Sequence, residues 1–341
     1  AKSYIIVGMM LSFVILALTL ATGISYGLIQ PPNLNFDVSQ DAQVVNTTSE
    51  VSSEEELVNN TLRGVVTIYT QESGELKSQG SGFIYKDDYI MSNEHVVRGA
   101  SNYYIKYKED DWGEAELVGS DEDTDIAILE YDTAPDYVKS LPMQINLPNV
   151  GQRVISLGAP NGLDSTVTNG IISGTERSVK IGTQFSIPDT IQTDTALNKG
   201  NSGGPLVSLD NGAVVGVNRA TEGENIGYAV SSRIANHVGT KIINKGYHQH
   251  SYLGIRTVTL TPIVREYGVV EPDNGLVVRD VIERTPADEV LNSNVSNNNT
   301  TQDNPDVIVG IEGEDVEDNE DLASYLMRNT EPGDVVTISV Y

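Results

Sequence analysis

The chain has 341 residues, with 48 Asp and Glu against 21 Lys and Arg, for a formal net charge of −27 at pH 7. That balance argues against a nucleic-acid partner, whose phosphates it would repel. The absence of cysteine excludes disulfides and thiolate metal sites. A hydrophobic content of 39% with 31 glycines suits two or three turn-rich β domains with adequate cores.

In chain order, the first predicted element is an apolar span. Ser3 to Phe36 carry no charge, and Ile5–Ile24 is almost wholly apolar. Twenty residues at a rise of about 1.5 Å reach about 30 Å, the depth of a hydrocarbon core. An uncleaved transmembrane helix within residues 1–30 is expected in preference to a cleaved signal peptide. Lys2 precedes the span, and Asp37, Asp41, Glu50 and Glu54–Glu56 follow it before Arg63. The positive-inside rule then puts the bulk of the chain outside the cytoplasm. Residues 31–56, opening with Pro31-Pro32, read as a flexible acidic linker. Asn46, Asn59, Asn294, Asn298 and Asn299 begin N-x-Ser/Thr sequons, in keeping with export.

From Arg63 short β-rich runs alternate with turns: Val65–Tyr69, Gly82–Tyr85, Tyr103–Tyr107 and Ile126–Tyr131. A second series follows at Arg153–Leu157, Val167–Ser173, Ala213–Val217 and Gly227–Val230. Such spacing indicates barrels or sandwiches. Ser232–Lys245 reads as a helix. Within this region, Gly200-Asn201-Ser202-Gly203-Gly204 has glycines on both sides of one serine, a backbone able to bend tightly around a nucleophile. A serine needs a base, and of four histidines His95 sits in Ser92-Asn93-Glu94-His95-Val96-Val97, after the strand-like Gly82–Tyr85. Asp125 opens the apolar run Ile126–Leu129, with Asp121, Asp123 and Asp132 as competitors for the same role. Each piece alone has a plain reading as a turn, a strand edge or a strand cap. Their joint order, His then Asp then Ser, is that of a chymotrypsin-type triad.

Gly80–Ile84, Asn93–Val97, Asp125–Leu129 and Thr193–Leu206 together resemble the HtrA (DegP/DegS-type) serine proteases, as does Ile226–Val230. The resemblance runs from about residue 57 to the end. It implies an all-β chymotrypsin-like double barrel, two six-stranded antiparallel barrels, over residues 57–245. His95 and Asp125 would come from the first barrel and Ser202 from the second. The backbone N–H groups of Gly200 and Ser202 would form the oxyanion hole. Substrate would meet Leu197, Asn198, Gly216, Asn218, Arg219 and Ala220, with apolar walls favouring an aliphatic side chain and Arg219 offering an alternative reach to an acidic one. Two positions depart from the family: Glu94 adds negative charge beside the base, and Lys199 stands where proline is usual.

Residues 250–341 resemble an α+β PDZ domain. Tyr252-Leu253-Gly254-Ile255 is similar to its carboxylate-binding loop, Asp321–Leu326 to its long helix and Gly333–Ile338 to its last strand. The chain ends at Tyr341 inside that last strand, which reads as a PDZ domain cut short and leaves a second PDZ domain open. Residues 292–303 form an Asn-rich insertion. The implied function is a membrane-anchored endopeptidase for unfolded or misfolded exported proteins, needing no cofactor or metal, with C-terminal peptides bound at the PDZ domain. The resemblance implies trimerisation through the segment before the first barrel, where Phe36 is a candidate contact and equally a candidate for the membrane interface. The rival reading is a chaperone-like or scaffolding peptide-binding protein with little proteolysis.

Overall fold

A computed structural model describes residues 53–158, 166–180, 186–198, 200–219, 227–265, 271–288, 290–293 and 305–341. The apolar span, Phe36, Lys199, Ala220 and most of the Asn-rich insertion lie outside the described residues. Among the described residues no helix is long and apolar enough to cross a membrane.

The first helix corrects the end of the expected linker: α1 spans Ser53–Leu62. Glu54, Glu55 and Glu56 occupy its first turn, where the helix dipole favours negative charge. Glu54 also meets the Arg153 guanidinium at 3.0 Å.

Six strands then close a barrel: β1 (Val65–Glu72), β2 (Glu75–Lys86), β3 (Tyr89–Ser92), β4 (Asn102–Lys106), β5 (Trp112–Asp121) and β6 (Ile126–Tyr131), in the order β1-β2-β3-β6-β5-β4. A short helix, α2 (Glu94–Val97), follows β3. A second closed barrel has the order β10-β11-β12-β9-β8-β7, from β7 (Arg153–Gly158), β8 (Thr166–Lys180), β9 (Ser186–Thr193), β10 (Pro205–Ser208), β11 (Val214–Arg219) and β12 (Gly227–Ser231). All ladders within both barrels are antiparallel.

Successive strand residues face opposite sides, and β3, β6 and the second half of β2 bury both. Ile84, Ile90 and Leu129 fill the first barrel with Ile68 and Ile105. Their neighbours Phe83, Met91 and Ile128 turn outward into a seam shared with Leu157, Val207 and Val217 of the second barrel. This accounts for the unbroken apolar run of β6. Helix α3 (Ser232–Lys245) closes the seam with Ile234, Val238 and Ile242. Its bounds match the sequence expectation, with Ser231 Oγ accepting from Ile234 N–H and Gly246 ending it at φ 82°.

The C-terminal sheet has the order β13 (Ile255–Thr259), β14 (Leu276–Val281), β15 (Val307–Ile311) and β16 (Glu314–Asp315), with β17 (Ile338–Val340) on β15. A short helix, α4 (Pro262–Arg265), follows β13, and the sheet is covered by α5 (Asn319–Asn329). Asp318 and Asp321 form a reciprocal capping box that starts α5. The last strand corrects the expectation of 333–338. Glu331 N–H bonds Asp334 Oδ2 at 2.7 Å in a turn, and Val335 is 96% exposed, so pairing begins only at Ile338.

Helix α5 also ties this domain to the second barrel. Glu320 Oε1 accepts the buried N–H of Asp189, whose carboxylate takes Arg233 Nε at 2.7 Å. Burial, with the charge of Asp189 nearby, pushes the Glu320 carboxyl up to about 7, against the opposing pull of the Asp189 N–H. A carboxyl raised in the fold binds more protons there than in the unfolded chain, so its contribution falls as pH rises from about 4.5 to about 7. Glu320→Gln should therefore stabilise the protein at pH 8 by up to about 3 kcal/mol and give no gain at pH 4. Urea unfolding of both forms at the two pH values checks this; equal gains at both would leave the titration without effect.

Candidate active site

Asp125 stands immediately before β6 in a left-handed conformation, φ 59°, which aspartate tolerates better than most residues. Its backbone carbonyl accepts Asn93 Nδ2 at 2.9 Å and Glu94 N–H at 3.1 Å, locking the β5–β6 loop to the start of α2. Its carboxylate, 3% exposed, accepts the His95 backbone N–H at 3.0 Å and lies 2.8 and 2.9 Å from His95 Nδ1. Burial opposes ionisation, but the His95 bonds and the nearby Arg219 outweigh it and hold the carboxyl below its ordinary value. An ionised carboxylate can only accept, so Nδ1 donates and Nε2 is the nitrogen left to take a proton.

The competing aspartate is otherwise engaged. Asp121 accepts Thr124 N–H at 3.1 Å and the Thr124 hydroxyl, and meets His250 Nε2 at 2.9 Å. Burial disfavours charge on His250, yet its bond to Asp121 raises its pKa above the ordinary value. Asp121, Asp123 and His250 also place metal-capable atoms within 4.8 Å of one another, the one such group among the described residues. Two of those three are already spent on each other. Glu94, expected to add charge beside the base, is instead neutralised by a bidentate contact with Arg98, at 2.7–3.0 Å.

The Ser202 turn is nested between the barrels. Ser202 is 6% exposed, and its carbonyl accepts Ser81 N–H of β2 at 2.9 Å. Gly203, at φ 82°, sits so close to the first barrel that a Cβ would lie 2.2 Å from Ser81 O, 2.3 Å from Ser92 Oγ and 3.0 Å from Asn93 N. The Ser202 turn thus abuts the segment that leads directly into His95. Asn201 N–H bonds Asn198 O at 3.0 Å, Gly203 N–H bonds Asn218 O at 2.9 Å, and Gly204 N–H bonds Asn201 O at 3.0 Å. Gly200 adopts φ 109°, a conformation suited to glycine.

The residues expected to meet substrate divide. Leu197 is half-buried against Gly227, and Asn198 is exposed beside it. Gly216 is buried in β11, paired with Leu206 and Ser231. Asn218 is fully buried and braces the turn: its N–H bonds Gly204 O at 2.8 Å and its amide bonds Pro205 O at 2.9 Å. Arg219 is the main departure. Its Nε donates to Asp125 Oδ2 at 2.7 Å, so the guanidinium is committed to the acid of the site. No local signal announces this contact, because the two residues lie 94 positions apart.

In the C-terminal domain, Leu253 packs on the core and Ile255 opens β13. Gly254 at φ 86° has its would-be Cβ 2.0 Å from Thr285 Oγ1. Ile282 N–H and Ala287 N–H bond the carbonyls of Gly254 and Leu253 at 2.8 and 3.0 Å. Thr285-Pro286-Ala287 thereby clamps the Tyr252–Ile255 loop, with Tyr252 48% exposed at its mouth. Among the described strands β13 pairs only with β14, so its other edge is open for strand addition.

Known proteins match both halves. A trypsin-like peptidase domain matches residues 80–217, and a PDZ domain matches residues 251–341. Serine protease Do-like HtrA of Bacillus subtilis (strain 168) is 32% identical over 305 residues, covering 83% of this chain and 64% of its own length. Serine protease Do-like HtrB of the same organism is 30% identical over 329 residues, covering 87% and 69%. The solved HtrA-type protease AlgW with tripeptide superposes with a TM-score of 0.71 at 31% identity, over 85% of this chain and 92% of that one. A putative serine protease HhoB of Synechocystis is covered over only 52% of its length, so the chain spans from about half to two thirds of several curated relatives. With two six-stranded antiparallel barrels, a His–Asp pair against a serine turn and a following PDZ domain, the chain belongs to the HtrA-type (Do-like) serine proteases.

Proposed function

We propose that the chain is a serine endopeptidase that cleaves unfolded or misfolded exported proteins. The observation that carries this reading is the His95–Asp125 hydrogen-bonded pair of the first barrel, held against the Ser202 turn of the second. Ser202 Oγ attacks the peptide carbonyl while His95 Nε2 takes its proton and returns it to the leaving amine. Asp125 holds the imidazole in the donating tautomer at Nδ1 and offsets the charge that His95 gains. The backbone N–H groups of Gly200 and Ser202 hold the oxyanion; a donor of that kind is worth about 3–4 kcal/mol in the transition state. Leu197 and Asn198 border the side-chain pocket, and the Tyr252–Ile255 loop takes the C-terminal carboxylate of a peptide added to β13.

The apolar run Ile5–Ile24 supports attachment to a membrane with the catalytic domain on the extracytoplasmic side. Homotrimerisation rests on the family likeness alone.

The test is covalent labelling of the full chain with a fluorophosphonate, followed by degradation of an unfolded, cysteine-free protein. The expected result is one adduct on the peptide containing Ser202, with degradation abolished by the label. No adduct and no cleavage, with aggregation of the substrate suppressed, would replace the protease reading by the chaperone-like one.

A further inference from the structure

Arg219 ends β11, one residue after Asn218 has braced the nucleophile turn, and crosses the seam to the acid of the other barrel. Its Nε and His95 Nδ1 approach the same oxygen, Asp125 Oδ2, at 2.7 and 2.8 Å. The guanidinium is 20% exposed and the carboxylate 3%, so solvent screens this pair only weakly. The other charges around His95 and Asp125 are engaged with one another, two acids to each cation. On α2, Glu94 holds Arg98 at 2.7 Å, and Arg98 also meets Glu122 at 2.9 Å. On the β5–β6 loop, Asp121 holds His250 at 2.9 Å, and Asp123 lies 3.9 Å from it. Arg219 is the cation of this group that shares Asp125 with the base.

We propose that Arg219 is a positioning residue of the active site, which fixes the Asp125 carboxylate on the His95 imidazole and divides its negative charge. Two consequences separate orientation from charge. The Nε–H bond stops the carboxylate from rotating, which keeps Oδ1 on the His95 backbone N–H and Oδ2 on Nδ1. The positive charge lies on the same oxygen that receives His95 Nδ1–H, so it offsets part of the negative charge that faces the base. The sequence suggested a different use for this arginine, recognition of an acidic substrate side chain; its commitment to Asp125 assigns it to the machinery instead.

The inference rests on His95 and Asp125 acting as base and partner, and the experiment keeps the two apart. kcat/KM is measured from pH 5 to 9 on a peptide amide, using the full chain as wild type, Arg219→Lys, Arg219→Gln and Arg219→Met, with Ser202→Ala as blank. Fluorophosphonate titration of each counts competent sites, so a misfolded fraction does not enter the rate. Removing one cation near the base should move the acid limb of Arg219→Gln and Arg219→Met up by about half a pH unit, while Arg219→Lys keeps the wild-type limb. The plateau should fall at least about tenfold in Arg219→Met, which loses the donor, and no more than about threefold in Arg219→Gln, which can retain it. Superimposable pH profiles for all four forms over an inactive Ser202→Ala would overturn the role of Arg219. Equal activity of Ser202→Ala and wild type would instead remove the protease reading beneath it.

Discussion

Asp125→Asn is expected to lower kcat by about 10⁴-fold with little change in KM, and to lower the melting temperature because the largely buried Arg219 loses its carboxylate. The fold should survive because asparagine also accepts the left-handed backbone that Asp125 adopts. The chemistry should not. Oδ1 of Asp125 receives the His95 backbone N–H, and Oδ2 receives Nδ1–H and Arg219 Nε–H. An amide has one acceptor and one donor end, so either orientation turns an NH₂ toward an existing N–H. With the NH₂ on the Oδ2 side, the imidazole answers by moving its proton to Nε2. It then has no acceptor with which to take the serine proton. Steady-state kinetics on a small ester, which reacts without a demanding leaving group, measures the loss directly. A decrease of less than tenfold would mean that His95 is oriented by something other than Asp125.

Gly203→Ala is expected to destabilise the protein by at least about 3 kcal/mol and to cut the activity of whatever folds by at least about 10²-fold. The added methyl would meet Ser81 O at 2.2 Å and Ser92 Oγ at 2.3 Å, with Asn93 N at 3.0 Å. Two of these three are backbone atoms of the first barrel and cannot swing aside. Relief requires the turn to back away, which strains the Ser81 N–H to Ser202 carbonyl bond and shifts the nucleophile relative to α2. Gly74→Ala serves as the control. It shares a positive φ, 85°, but its methyl would enter open space, so it reports the dihedral cost alone, about 1–2 kcal/mol. Thermal unfolding and fluorophosphonate titration of both variants separate the two effects; equal losses would reduce Gly203 to a matter of φ.

The sequence revealed most where chemistry constrains short stretches. Gly200–Gly204 needs its glycines for a tight, closely approached turn, His95 stands just after the apolar β3 and Asp125 just before the apolar β6. The strands that were not anticipated have surfaces that hide their period. β5 runs through Gly113 and Gly119 with an irregular pattern of burial, and β9 carries Pro188 in its middle. The acidic stretch at Ser53 looked like a spacer because like charges repel, whereas three glutamates in a first helical turn meet the positive end of the dipole. The family resemblance picked Asp125 over Asp121, but the physical reason is tertiary, since only the fold brings His250 to the latter. The same is true of Arg219. A side chain that reaches another barrel leaves no trace in the ten residues around it.

The burial of Ser202 at the seam makes the hazardous part of this molecule conditional on its completion. In the proposed mechanism the base and its acid are made early in the chain and the nucleophile later, and the turn holding Ser202 is bonded to Ser81 and packed on Ser92 across the interface. Neither barrel by itself holds the parts of a working blade. A half-built or half-melted copy is therefore disarmed, and cutting power serves as its own certificate that both barrels have closed.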